Sequence, residues 1–390
     1  MEKCKISLKL KYKNFFFILL AFLYAIDFKG MANDIFLIFA VYAVFLAGYG
    51  GKKITPENLL LLAFCVLYWA VSTFNLGYSK QDVIRYLIAP GVVAMVSYQY
   101  ASDERSGNFL LSIILWGLFA HATLNMLLSL SHGYTLGSVD NIWGGKMSQT
   151  LQGLLMLPMA ALLYPALRAK KKTLRTWLCL AGSVASLIFT TITGRRTLFF
   201  VFFIVVAVDF FTDLIQQKKF IDFIQRFTLF AIIIAVLVIG YQHDFGGIKT
   251  SFANSSLYYR LFLSQNSGRT SIHLNVIKNA SAFVFGSTGL DISYGATYAH
   301  NLWLDAMVIA GWVPAILLMA YTICTVCRMI RLVKKYGMGD WFSSIYFSVN
   351  LSLLLGFMVE PVLQGAPHVF VLWCALNSIA QRMEKIKSNG

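Results

Sequence analysis

The sequence predicts an all-α integral membrane protein of about twelve transmembrane helices with one long outer loop. Three observations carry this. Charged residues make up 13% of the chain and hydrophobic ones 58%, whereas a soluble domain carries about 25% charge. The apolar residues are gathered into runs near the length of about 20 residues that a bilayer requires. The basic residues concentrate in short segments between those runs, as topology signals do.

The runs fall at roughly 14–26, 31–48, 58–75, 83–100, 108–131, 151–167, 174–192, 197–215, 220–240, 301–323, 341–358 and 364–380. The first follows a basic segment and reads as a retained span, because no cleavage site follows it. The sixth contains Pro158 and Pro165, which membrane helices tolerate when neighbouring groups resatisfy the backbone. This divides the chain into helices 1–9 over 1–240, a loop over 241–299, and helices 10–12 over 300–390. No internal repeat is evident, so the repeat signature of many transporters is missing.

Orientation follows from charge. With both termini inside, most Lys and Arg fall on inner segments, including the clusters Arg168/Lys170/Lys171/Lys172 and Arg328/Arg331/Lys334/Lys335. The net charge of +16 is therefore a matter of topology. No nucleic-acid-binding module occurs, and nucleic acid is excluded as a partner. Six cysteines are present. None falls on a predicted outer loop, so no external disulfide is expected. Cys324 and Cys327 have CxxC spacing without a second pair and read as residues at a helix end.

Topology does not explain Arg195, Arg196, Arg260 and Arg269, which lie on the outer side. Gly194-Arg195-Arg196-Thr197 forms the turn between two spans. An arginine at a helix mouth can simply snorkel, but its planar fork also grips phosphate oxygens in pairs. Arg269 follows Gly268 and opens a stretch with Ile272, Val276, Ile277 and Ala280 at near-helical spacing. That stretch predicts an amphipathic helix lying on the membrane or capping the bundle. Gly286, Gly289 and Gly295 then break it into turns. The loop closes on His300-Asn301 at the next apolar run. An imidazole there suits a proton acceptor near neutral pH, and Asn301 could orient it or a substrate hydroxyl. Asp305 lies a little over one turn further on. His121, His132, His243, His273 and His368 lack such a context and read as structural. Asp209 and Glu360 read as charges near span ends. No metal-ligand pattern occurs, so no metal or other cofactor is expected. No nucleophile elbow of a hydrolase is present either.

Taken in order, these stretches resemble the bacterial O-antigen ligase and polymerase superfamily. The resemblance rests on Thr193-Gly194-Arg195-Arg196-Thr197-Leu198, on Ser267-Gly268-Arg269 through Gly286 to Gly289, and on Ala299-His300-Asn301 through Ala310-Gly311-Trp312. It covers about a quarter of the chain; the remainder matches in topology only. It implies a metal-independent, GT-C-like membrane glycosyltransferase of the bacterial inner membrane, with cytoplasmic termini and a periplasmic active site. The donor would be a glycan on undecaprenyl pyrophosphate. The acceptor would be lipid A–core for a ligase, or another lipid-linked repeat for a polymerase. The family's first arginine maps to Arg195, with Arg196 the alternative register, its loop arginine to Arg269 and its histidine to His300. On this basis His300, Arg195 and Arg269 are the expected catalytic residues, and Arg196 and Asn301 the expected substrate contacts. The chain departs from the pattern in having Gly before Arg195. A lipid or glycan transporter is the alternative from another class; it would call for ionisable groups or broken helices at mid-membrane.

Overall fold

A computed structural model of the chain describes residues 15–30, 54–77, 80–134, 138–169, 173–217, 268–287 and 298–389, with scattered positions between 224 and 259. Among these, six helices are long and apolar enough to cross a membrane: Pro56–Leu76, Glu104–Ser131, Leu151–Arg168, Leu174–Thr193, Arg196–Gln216 and Trp312–Tyr336. Phe15–Ala25 and Trp341–Phe357 are shorter apolar helices. The protein is all-α and built to sit in a membrane. The expected second span, 31–48, and nearly all of the ninth, 220–240, lie outside the described residues.

The helices are labelled in chain order: α1 Phe15–Ala25, α2 Pro56–Leu76, α3 Ala89–Tyr100, α4 Glu104–Ser131, α5 Gln149–Ala160, α6 Leu163–Arg168, α7 Leu174–Thr193, α8 Arg196–Gln217, α9 Arg269–Lys278, α10 Leu302–Ala310, α11 Trp312–Tyr336, α12 Trp341–Phe357 and α13 Pro367–Asn389. Their starts are written locally. Thr55 accepts the Asn58 N–H at 3.2 Å ahead of Pro56, an N-cap followed by the imino acid that suits the first helical position. Asp103 and Ser106 form a reciprocal capping box on α4. Asp340 caps α12 through the Ser343 N–H.

Two spans differ from expectation. The run at 83–100 is not one α-helix. Its first part, Val83–Ile88, is π-helical, because Pro90 has no N–H and its ring crowds the carbonyl one turn back. The run at 301–323 breaks at Gly311, where φ is 89°, and α11 then continues to Tyr336 through the expected inner loop. The Pro158 run crosses as expected over Leu151–Arg168, with a turn at Ala161-Leu162 between α5 and α6. A short hairpin the sequence did not signal, Ser138–Asp140 against Lys146–Ser148, sits on the end of α4 through the Asp140 N–H bonded to Ser129 Oγ.

Contacts define two ends of the bundle. Glu57 at the start of α2 meets Arg328 near the end of α11, and Asn75 at the end of α2 meets the Ile309 carbonyl just before α11. The two helices are therefore antiparallel. The Arg328 end also gathers Glu384 and Lys387 of α13, with Lys387 bonded to Asp340 and Glu104. Packing crosses the expected division at residue 300: α13 lies against α3 and α11 against α2. At the centre Trp373 is fully buried, edge-on to Tyr321 and Phe357. Its Nε1 donates to Asn350 Oδ1 at 2.8 Å, so the indole keeps its hydrogen bond where water is missing.

The loop helix α9 is docked by a glycine lock. Gly286 and Gly311 both have left-handed φ, 77° and 89°. A Cβ on Gly311 would stand 2.5 Å from the Val284 carbonyl, and one on Gly286 2.3 Å from the Ile309 carbonyl. Asn75 Nδ2 donates to the Phe285 and Ile309 carbonyls at 3.1 and 2.9 Å, and Trp312 Nε1 to the Ala280 carbonyl at 2.9 Å. Gly311→Ala should therefore cost about 1–3 kcal/mol from backbone strain alone, with the clash added. It should also speed hydrogen exchange across residues 280–287. Unchanged exchange and an unchanged Tm would refute the lock.

Candidate functional site

Arg195 is placed by the end of α7. Gly194 adopts the left-handed conformation that stops a helix, and the Arg195 N–H returns to the Thr190 carbonyl at 3.3 Å. The side chain then lies over Gly153 of α5, where an added Cβ would come 3.4 Å from Arg195 Nε. The glycine makes room for the guanidinium. Arg195 Nη2 reaches Glu360 Oε1 at 3.3 Å.

Arg269 arrives from the loop as the first residue of α9. It donates through Nη1 to the Val359 carbonyl at 2.7 Å, and through Nη1 and Nη2 to Glu360 Oε1 and Oε2 at 3.4 and 3.2 Å. This is the two-pronged grip that a guanidinium makes on a planar anion. On α9 only Ile272 and Val276 are buried. Ile277, expected on the same face, is 57% exposed, because a spacing of four returns to the docked face while five overshoots it.

Glu360 is the residue the sequence reading missed. It sits between the end of α12 and Pro361 with its side chain 3% exposed, and it joins arginines 165 and 91 residues away in sequence. The available signal was an acidic residue before a proline at the end of the bundle that holds surplus arginines.

His300 lies beside this group with φ at 55°, a conformation rare for a side chain other than Gly or Asn. Asp305 holds it there. The fully buried Asp305 carboxylate accepts the Ala299 N–H at 2.7 Å and the Asn301 N–H at 3.2 Å, on either side of His300. Asp305 thereby clamps the loop on both sides of His300. His300 Nδ1 is buried and has no hydrogen-bond partner among the described residues. Burial holds the imidazole below its usual pKa, the charge of Arg269 adds to this, and Glu360 opposes it.

Asn301 is committed to the fold. Its Oδ1 caps α10 through the Trp303 and Leu304 N–H groups, and its Nδ2 donates to the Met358 carbonyl at 3.0 Å. It ties the His300 turn to the strand of chain that carries Glu360. Asp209 lies within α8, fully buried, and accepts a bond from Ser348 Oγ at 2.6 Å, a partner the sequence did not signal.

Arg196 makes no ion pair among the described residues. With Arg195, Arg269, Thr197 and Thr270 it lines a cavity of about 520 Å³. Phe200, Val201, Ile204, Leu355, Met358 and Val359 complete the lining, and Phe200 and Ile204 are exposed on α8. The cavity thus combines cationic and apolar side chains and borders exposed apolar residues of α8. His300 and Asn301 are not part of its lining. Among the described residues no group of three or more His, Cys, Asp or Glu is placed to hold a metal ion. The chain matches no protein-family model and no curated protein sequence.

Proposed function

We propose that this protein is a membrane glycosyltransferase that moves a glycan from undecaprenyl pyrophosphate to lipid A–core, an O-antigen ligase. One observation carries the reading. Arg195 and Arg269, from distant parts of the chain, converge on a single buried carboxylate beside a cavity that they line together with apolar side chains. That combination suits an anion attached to a hydrocarbon chain. The sidedness of charge adds support: the Arg328 end carries the cluster expected inside, which leaves the arginine site outside.

In the reaction, an acceptor hydroxyl oxygen forms a bond to the anomeric carbon. The bond from that carbon to the diphosphate oxygen breaks, and its electron pair leaves with the diphosphate. Attack from the opposite face inverts the centre. Arg195 and Arg269 meet the developing negative charge from fixed positions, the arrangement in which donors act most strongly on a transition state. Among the described residues Arg196 adds a third guanidinium to the cavity lining beside Arg195 and Arg269, which suits a doubly charged diphosphate diester. The acceptor proton passes to His300. Its lowered pKa keeps the imidazole neutral, and able to accept, as pH falls toward and below the ordinary value of about 6.5. The acid limb of the rate profile should accordingly lie below 6.5, and an NMR titration of His300 should give the same midpoint. A midpoint above 6.5 contradicts the assignment.

Product analysis tests the reading. Incubation with both acceptors should yield glycan on lipid A–core. Longer lipid-linked glycan with untouched core would make the protein a polymerase using the same site.

A further inference from the structure

A second cavity lies at the opposite end of the bundle. It has a volume of about 930 Å³ and opens between the start of α2 and the last turns of α11 and α13. Its floor is ionic. Arg328, 3% exposed, is bonded to Glu57 and to Glu384, and Arg331 reaches Glu384 at 3.3 Å. Both carboxylates in the lining are thereby spent on arginines. Lys334, Lys335 and Lys385 remain as surplus charge around the mouth. Lys335 rests over the Tyr336 ring and Lys385 over the Tyr98 ring, at 5.1 and 5.5 Å. Lys334 has no partner among the described residues.

Topology signalling requires cations near this end of the helices, but it does not require them to line a cavity. The rest of the lining is mixed: Thr55, Gln381 and Ser388 are polar, and Leu60, Leu332 and Cys324 form an apolar part. Next to these in sequence, Leu59 and Ile323 are 61% and 62% exposed, so the lining passes onto outward faces of α2 and α11 that hydrocarbon would cover. A water-soluble anion would use the lysines and leave this wall empty. Basic pockets between membrane helices are suited to acidic lipid headgroups.

We propose that this cavity is a binding site for an anionic phospholipid, its phosphate among Lys334, Lys335 and Lys385 and its acyl chains along the surface between α2 and α11. The site is separate from the arginine site and does not depend on the function assigned there.

The test uses the full-length purified protein stripped of lipid in detergent. Thermal unfolding is followed on adding phosphatidylglycerol, cardiolipin, phosphatidylethanolamine or inorganic phosphate. Phosphatidylglycerol and cardiolipin should raise Tm, and the other two should not. The triple variant K334Q/K335Q/K385Q keeps the Arg328 ion pairs and should lose the shift. Arg105→Gln removes a cation beside the start of α4, outside the cavity, and should keep it. If the triple variant does not fold, Lys334→Gln alone should weaken lipid binding at least threefold. An equal shift with phosphatidylethanolamine, the full shift with inorganic phosphate, or an unchanged shift in whichever lysine variant folds would overturn the proposal.

Discussion

Arg269→Ala should lower glycan transfer by about 100- to 1000-fold, the usual cost of removing one preorganised donor from developing negative charge. The protein should remain inserted and folded, because Arg269 is partly exposed and α9 stays docked through Ile272, Val276 and the glycine lock. Arg269→Lys should recover only part of the loss. A lysine keeps the charge but gives up the planar fork, and the fork is what spans both oxygens of Glu360 and the Val359 carbonyl. The loss should appear in kcat and in kcat/KM together, as expected for an interaction that matters most in the transition state. Full activity in Arg269→Ala would remove this residue from the mechanism.

Glu360→Ala should be the most destabilising change at the site. It would leave two guanidinium groups facing one another around a buried position, with side chains only 11% and 23% exposed. Removing one partner of a buried ion pair costs about 3–5 kcal/mol, and the partial exposure of Arg269 puts the expectation toward the lower figure. Glu360→Gln preserves shape and can still accept hydrogen bonds, so it should lose less. A diphosphate should restore part of the lost Tm in Glu360→Ala, because it supplies the missing negative charge. Thermal unfolding with and without inorganic pyrophosphate reads this directly. If pyrophosphate leaves the variant unchanged, the two arginines are not an anion site.

The helical class and the positions of α2, α4, α7 and α8 were legible because they depend on composition and run length, which are local. Arg195 and Arg269 were legible as exceptions to a charge rule, and His300 and Asn301 by their place before an apolar run. What brings them together was not. Glu360 has no periodic signature, and its significance arises only when the end of α12 meets the turns before α8 and α9. Asn301 illustrates the same limit. Its type and position fit a substrate contact and an N-cap equally, and the backbone N–H groups of α10 take it. Arg328 was legible as a topology charge, while its burial between Glu57 and Glu384 depends on α2, α11 and α13 meeting at one end. The break at Gly311 was hidden inside a continuous apolar run, since hydropathy is indifferent to a left-handed glycine.

The most direct test of the central claim is transfer by purified protein in liposomes, supplied with undecaprenyl-pyrophosphate-linked glycan and lipid A–core and no divalent metal. Wild type and Arg195→Ala are compared at equal folded concentration. The account predicts glycan-modified lipid A–core with wild type and a loss of at least about 100-fold with Arg195→Ala. Equal transfer by both proteins, or none by wild type with donor shown to be intact, would contradict it.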